Sequence, residues 1–156
     1  MKKQANSKNC FVCGVDNPFG LKMKFYEDGP DSVFTKITIP DQFQGYPGVV
    51  HGGIIASMLD EVSGRVFMNG DEPQFYVTAE LKIRYRKPVP VGEPLILKGH
   101  RGADGGIKGR VAMASGEIYN EAGDLLAHAD IVLVEIPEKI KEVFEENKDG
   151  WKIYPD

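Results

Sequence analysis

Two cysteines, three histidines and one tryptophan in 156 residues leave few of the side chains from which disulfide scaffolds and metal frameworks are built. Two cysteines close at most one bridge, which excludes the class of small domains stapled by several disulfides. Apolar runs are short, none near the roughly 18–20 residues that a membrane span needs, so no membrane partner is expected. A basic surplus is missing too: 19 Lys and Arg stand against 23 Asp and Glu, for a net charge of −4. That balance argues against nucleic acid, although a local cluster of cations can still hold a phosphorylated small molecule. The opening Met1–Asn9 has none of the apolar stretch of a signal peptide, and a cytoplasmic location is the expectation.

What is present suffices for a globular core, with 42% hydrophobic and 10% aromatic residues. The length predicts a single domain over 1–156, with an N-terminal segment at 1–18 and a helical tail at 137–156. Eighteen glycines stand out, and composition alone does not explain them. Both cysteines fall in Cys10-Phe11-Val12-Cys13-Gly14. Three readings stay open for this CxxC: a structural turn with buried thiols, half of a zinc site, or a redox dithiol. Asn17-Pro18-Phe19-Gly20 downstream is turn chemistry, not the helix start a redox dithiol expects. A zinc site needs two more ligands, and no second CxxC or nearby His supplies them. No metal ligand is therefore assigned.

Hydrophobic periodicity gives the order of elements. Leu21, Met23 and Phe25 alternate with polar residues, as do Val33, Thr35, Ile37 and Ile39, and the two runs predict a hairpin across Asp28-Gly29-Pro30. Ile55, Leu59, Val62 and Val66 then fall on one face of a helix from Gly52 to about Asn69. Further strands are expected at Val77–Tyr85, Leu95–Lys98, Ile107–Tyr119 and Leu125–Glu135, followed by a charged helix at Glu138–Asn147. Six mostly antiparallel strands and one long helix leave no crossovers for a doubly wound sheet. The pattern predicts an α+β fold, an antiparallel sheet of about six strands wrapped around one central helix. One helix covers only part of such a sheet, so a second copy of the chain is the natural partner.

The densest chemistry lies at Gly48-Val49-Val50-His51-Gly52-Gly53, where the helix begins. Each helical glycine gives up roughly 1 kcal/mol relative to Ala, which close backbone approach to a ligand would offset. Free N–H groups at a helix start favour an anion, and the Gly53 N–H is placed to donate to an oxyanion; tight packing of the loop is the plainer alternative. Asp60 projects away from the apolar stripe, beside Ala56, Ser63, Gly64 and Phe67. Glu61 and Arg65, at i and i+4, read as a surface ion pair. His51 and Asp60 lie roughly 13 Å apart along a helix rising 1.5 Å per residue, so one site using both must draw them from two subunits.

These residues resemble a known family. Phe43-Gln44-Gly45-Tyr46-Pro47-Gly48-Val49-Val50-His51-Gly52-Gly53, Asp60 nine residues after His51, and Thr78-Ala79-Glu80-Leu81-Lys82-Ile83-Arg84-Tyr85-Arg86-Lys87-Pro88 are similar to hotdog-fold acyl-CoA thioesterases of the PaaI-like group. The CxxC opening through Leu21 is similar to that of bacterial members, so the resemblance spans about residues 10–135. It implies a hotdog fold, a homodimer or dimer of dimers, an acyl-CoA substrate and no cofactor. It further implies Asp60 as general base or nucleophile, the Gly53 N–H on the thioester carbonyl, His51 positioning substrate or water, and Thr78 orienting Asp60 or the water. Gly45 stands where some members carry an Asn, which removes one water-positioning amide. Simple alternation puts Thr78 on the polar strand face, so its role requires a bulge.

Basic residues are expected around the coenzyme A phosphates, with Arg84, Arg86, Lys87 and Lys108 as candidates beside Gly52. His100 and His128 lack metal-ligand spacing and read as structural. Two rival functions remain: a hotdog protein that binds acyl-CoA without turnover, and a hydratase or dehydratase acting on enoyl or hydroxyacyl thioesters. The latter needs an Asp–His pair in a different motif, which this sequence does not show.

Overall fold

A computed structural model describes all 156 residues. Seven strands and two α-helices follow in the order β1 (Tyr26–Glu27), β2 (Ser32–Thr38), α1 (Gly52–Gly64), β3 (Tyr76–Tyr85), β4 (Pro94–Arg101), β5 (Ile107–Lys108), β6 (Val111–Asn120), β7 (Leu125–Glu135) and α2 (Glu138–Glu146). One antiparallel sheet runs β1-β2-β4-β6-β7-β3, with β5 folded back on β6. The sheet curls around α1, which touches β2, β3, β4, β6 and β7. This is the expected α+β hotdog architecture.

The apolar stripe read from the sequence is the buried face of α1. Ile55, Met58, Leu59 and Val62 are all at most 4% exposed, against Leu95, Leu97, Ile118 and Ile131 of the sheet. At roughly 1.5–3 kcal/mol per large side chain, such burial is what holds the helix in its sheath. Two glycines set how closely the layers approach. A Cβ at Gly99 would strike the Val62 carbonyl, and one at Gly116 would meet the Ser63 hydroxyl and the Leu59 carbonyl. The helix backbone thus lies directly on β4 and β6 at these points. Ser63 donates back to the Leu59 carbonyl at 2.7 Å, and α1 tightens into a 3-10 turn at Arg65–Met68 just beyond.

Two strand expectations need correction. Residues 21–25 keep the alternating burial of Leu21, Met23 and Phe25, but the paired strand is only Tyr26–Glu27. Leu21 and Met23 donate their N–H groups to Phe11 and Val12 of the cysteine turn, and Phe25 accepts from Gln4. Lys22, at φ +54°, breaks the extended backbone between them. The alternation therefore reports packing beneath the N-terminal segment, not a ladder with β2. Ile107–Tyr119 is likewise not one strand. The chain reverses between Lys108 and Val111, so that Ile107 faces Ala112. Gly109, at φ +62°, makes that turn possible.

The ends of the chain meet on the outside of the sheath. Asn6 pairs with Lys152, and Phe75, Phe144 and Trp151 form an aromatic cluster under α2. Neither helix is long and apolar enough to cross a membrane.

Candidate functional site

His51 caps α1. Its Nδ1 accepts the Gly53 N–H at 2.9 Å, so the imidazole fills the place that Ser or Asp holds at many helix starts. The neighbouring glycines make room for the ring. A Cβ at Gly53 would meet His51 Nδ1 at 3.2 Å, and one at Gly45 would meet its Cα and Cδ2 at 3.4 Å. Gly48, at φ +80°, closes the turn that returns the loop to the helix. Tyr85 at the end of β3 donates its hydroxyl to the Gly52 carbonyl at 3.0 Å, fixing the helix start to the strand. The Gly52 N–H finds no acceptor within the chain. Of the four glycines within nine residues, Gly45 and Gly53 thus pack against the imidazole, Gly52 lies against Tyr85 and Gly48 serves the turn.

Two turns along α1, the Thr78 hydroxyl donates to Asp60 Oδ1 at 2.7 Å. The strand makes this contact through an irregularity: the β3–β7 register shifts between Thr78 and Glu80, and Ala79 is the extra residue. The bulge that a role for Thr78 requires is there, and it turns Thr78 toward the helix. One carboxylate oxygen is thereby fixed, leaving the other open to act on a proton. His51 and Asp60 stand at separate points of one helix, and their hydrogen bonds within the chain go to different partners.

Around the helix start lies a cavity of about 730 Å³. Its walls are mostly apolar (Val49, Ile55 and Val89 among them), with Arg86 and Lys87 at its border. Arg86 Nε contacts His128 Nδ1 at 3.3 Å, and Lys87 sits 3.4 Å from Asp124. Arg84, on β3, and Lys108, at the end of β5, do not border this cavity. His100 contacts Ser32 and Glu117, away from the helix start.

A second group of titratable side chains meets at Glu61, on another face of α1. Cys10, Cys13 and Glu61 place their sulfur and carboxylate atoms within 4.8 Å of one another. The expected surface pair of Glu61 and Arg65 is in fact an interior one. Arg65 is fully buried, contacts Glu61 at 2.9 Å, donates to the Ala5 carbonyl, and lies between the rings of Phe25 and Trp151. The i,i+4 spacing was legible; its burial under the N-terminal segment and tail was not. Burial raises the Glu61 carboxyl to about 7, with Arg65 opposing. A hydrogen bond from Cys13 lowers the Cys10 thiol to about 6, and the same bond pushes Cys13 up.

Comparison with known proteins adds four findings. Residues 47–103, which carry the His51 loop, α1 and β3, match the family described as the thioesterase superfamily. Acyl-coenzyme A thioesterase 13 of Mus musculus is 24% identical over 79 residues, which are 51% of this chain and 56% of that one. The chain thus spans about half the length of this relative. Among solved structures, a thioesterase superfamily protein superposes with a TM-score of 0.74 at 30% identity, covering 81% of this chain and 63% of the other. A Streptococcus mutans protein bound to acetyl CoA shares the fold, with a TM-score of 0.63 at 22% identity over 72% of this chain and 86% of its own.

Proposed function

We propose that this chain, a hotdog-fold protein whose residues 47–103 belong to the thioesterase superfamily, hydrolyses acyl-CoA thioesters to a free carboxylic acid and coenzyme A. The observation that carries this reading is the Thr78–Asp60 hydrogen bond of 2.7 Å, made through a strand bulge. It orients a half-buried carboxylate that no packing or ion pair requires. Asp60 takes a proton from water as the oxygen attacks the thioester carbonyl, or attacks that carbonyl itself to form an anhydride that water then opens. The carbonyl oxygen gains charge, and helix N–H groups receive it. The Gly53 N–H is shared with His51 Nδ1, while the Gly52 N–H is free to donate directly. His51 thus holds the donor pair in place and lines the approach. The thiolate of coenzyme A leaves readily and takes up a proton, so one base and one oxyanion site suffice.

The helix start and Asp60 are too far apart to act on one carbonyl within a chain, so the site is shared between two copies. β3 supplies the means. Its outer edge is unpaired in the sheet, and Val77, Leu81 and Ile83 are only half-buried. Antiparallel pairing of β3 with its counterpart would continue the sheet and bring Asp60 of each copy toward the helix start of the other. Arg86 and Lys87 are positioned for the coenzyme A phosphates and the apolar cavity wall for the pantetheine or acyl portion. Arg84 and Lys108, outside the cavity, are kept for phosphate contacts across the dimer.

The test is release of free thiol from a panel of acyl-CoA substrates of increasing chain length. Turnover with at least one of them is expected. Tight binding of acyl-CoA with no thiol released from any substrate would replace hydrolysis by the binding-only reading.

A further inference from the structure

The CxxC turn lacked partner ligands in the sequence because its partner comes from 48 residues downstream, on the helix. From the mutual placement of Cys10, Cys13 and Glu61 we propose that these residues form a site for a zinc-class divalent cation, with one coordination position open to solvent or to a small thiol. Neither hydrolysis nor dimerisation is needed for this site.

The geometry has four independent parts. First, the three donor atoms converge within 4.8 Å of one another, a span that a tetrahedral ion with bonds of about 2.0–2.3 Å closes with small side-chain movements. Second, the turn is built to present thiolates. The Val12 N–H donates to Cys10 Sγ at 3.3 Å, and the Gly14 N–H closes the turn on the Cys10 carbonyl at 2.8 Å. Any Cβ at Gly14 would strike the Cys10 backbone, so glycine is required after the second cysteine. Asn6 donates to the Cys13 carbonyl at 2.8 Å and is itself 3% exposed, which locks the turn onto the core.

Third, the charges balance. Two thiolates, the Glu61 carboxylate, the Arg65 guanidinium and a divalent ion sum to zero in a region where unbalanced charge is costly. Arg65 remains 2.9 Å from Glu61 and orients it from outside the donor set, as second-layer groups do at metal sites. Fourth, there is a path in. Cys10 borders a cavity of about 560 Å³ between the turn and α2, lined also by Ser7, Phe144 and Trp151. Soft sulfur donors with one carboxylate select zinc-class ions over magnesium or calcium, which prefer oxygen alone. Binding displaces the remaining thiol protons to solvent, and no electron moves.

The experiment uses the full chain, reduced, treated with chelator and then freed of it, and titrated with Co²⁺ as the spectroscopic stand-in for zinc. The expected result is one equivalent bound, with thiolate-to-cobalt charge-transfer absorption, visible bands of a four-coordinate ion, and bleaching on addition of Zn²⁺. Cys10→Ser and Cys13→Ser should each remove about half or more of the charge-transfer intensity, one of the two Co–S bonds being lost. Glu61→Gln should keep it while weakening affinity by tenfold or more. A measurement on the unaltered protein covers variants that fail to fold: stoichiometric Zn²⁺ should protect both cysteines from alkylation. No charge-transfer band, or alkylation unchanged by Zn²⁺, overturns the proposal. So does a reduced protein that merely forms the Cys10–Cys13 disulfide in air at the same rate with and without Zn²⁺. Because each readout is spectroscopic or chemical, an inactive thioesterase would leave the proposal standing.

Discussion

Thr78 shows how a single backbone irregularity can decide the role of a side chain. In a regular strand it would share a face with Glu80 and Lys82; the extra residue Ala79 places its hydroxyl on Asp60. A neutral amide at position 60 keeps the shape but cannot accept a proton, so Asp60→Asn should lower kcat by about a hundredfold or more. Thr78→Val removes the hydrogen bond while preserving the branched shape. It should cost about tenfold in kcat with little change in KM, since a net hydrogen bond to a charged group is worth about 1.5 kcal/mol or more. Steady-state thiol release checks both. An unchanged kcat in Asp60→Asn would remove the carboxylate from the mechanism.

At the scale of elements, Arg65 is the tie between α1, the N-terminal segment and the tail. Its guanidinium contacts Glu61 and the Ala5 carbonyl and lies 4.4 Å from Phe25 and 4.9 Å from Trp151. Removing it strands a buried carboxylate, and Arg65→Ala should cost about 3–5 kcal/mol in chelator-treated protein. Adding Glu61→Gln should recover part of that loss, and urea unfolding of the four proteins in the cycle measures the coupling. The tail has a second anchor in Asp156. Hydrogen bonds from Lys3 and Lys24 hold its carboxyl down to about 2 from the ordinary 3.8. With the folded value below the unfolded one, its contribution to docking is present above about pH 4 and fades as pH falls toward 2. Trp151 is the sole tryptophan and packs within the docked tail, so its emission should shift to the red across this window. The Asp156→Asn protein should show part of that shift already at pH 7; emission identical to the parent would rule out the anchor.

For the whole molecule, the decisive quantity is the length of α1. If α1 supplies the proposed oxyanion donor at its start and the proposed base two turns later, one chain cannot apply both to one carbonyl. Mixing subunits tests the consequence. Asp60→Asn and Gly53→Ala proteins, each impaired alone, should regain about a quarter of full activity after random exchange, because half the dimers are mixed and each mixed dimer has one intact site. Light scattering should show at least a dimer. A fully active monomer, or no recovery on exchange, would return the site to a single chain.

The helix and most of the sheet were legible because burial writes its period into the sequence. Ile55, Leu59, Val62 and Val66 repeat at helical spacing and are all in the core. The same logic misread residues 21–25, since alternation records which side is buried and not what accepts the hydrogen bonds; there the acceptors are Phe11 and Val12. It also ran through Gly109, where a positive φ reverses the chain without disturbing the apolar pattern. His51, Gly53 and Asp60 could be singled out from residue type and spacing alone. Their relation could not. The Thr78–Asp60 contact was implied only by family resemblance, since residue pattern alone turned Thr78 away; the capping of α1 by the His51 ring and the convergence of Glu61 on Cys10 and Cys13 had no signal in the pattern. Residue pattern is enough for an antiparallel sheet around one helix, with glycines at the helix start and an acid off its apolar stripe. Which groups meet is a matter of packing, because side-chain direction and long-range register are set there.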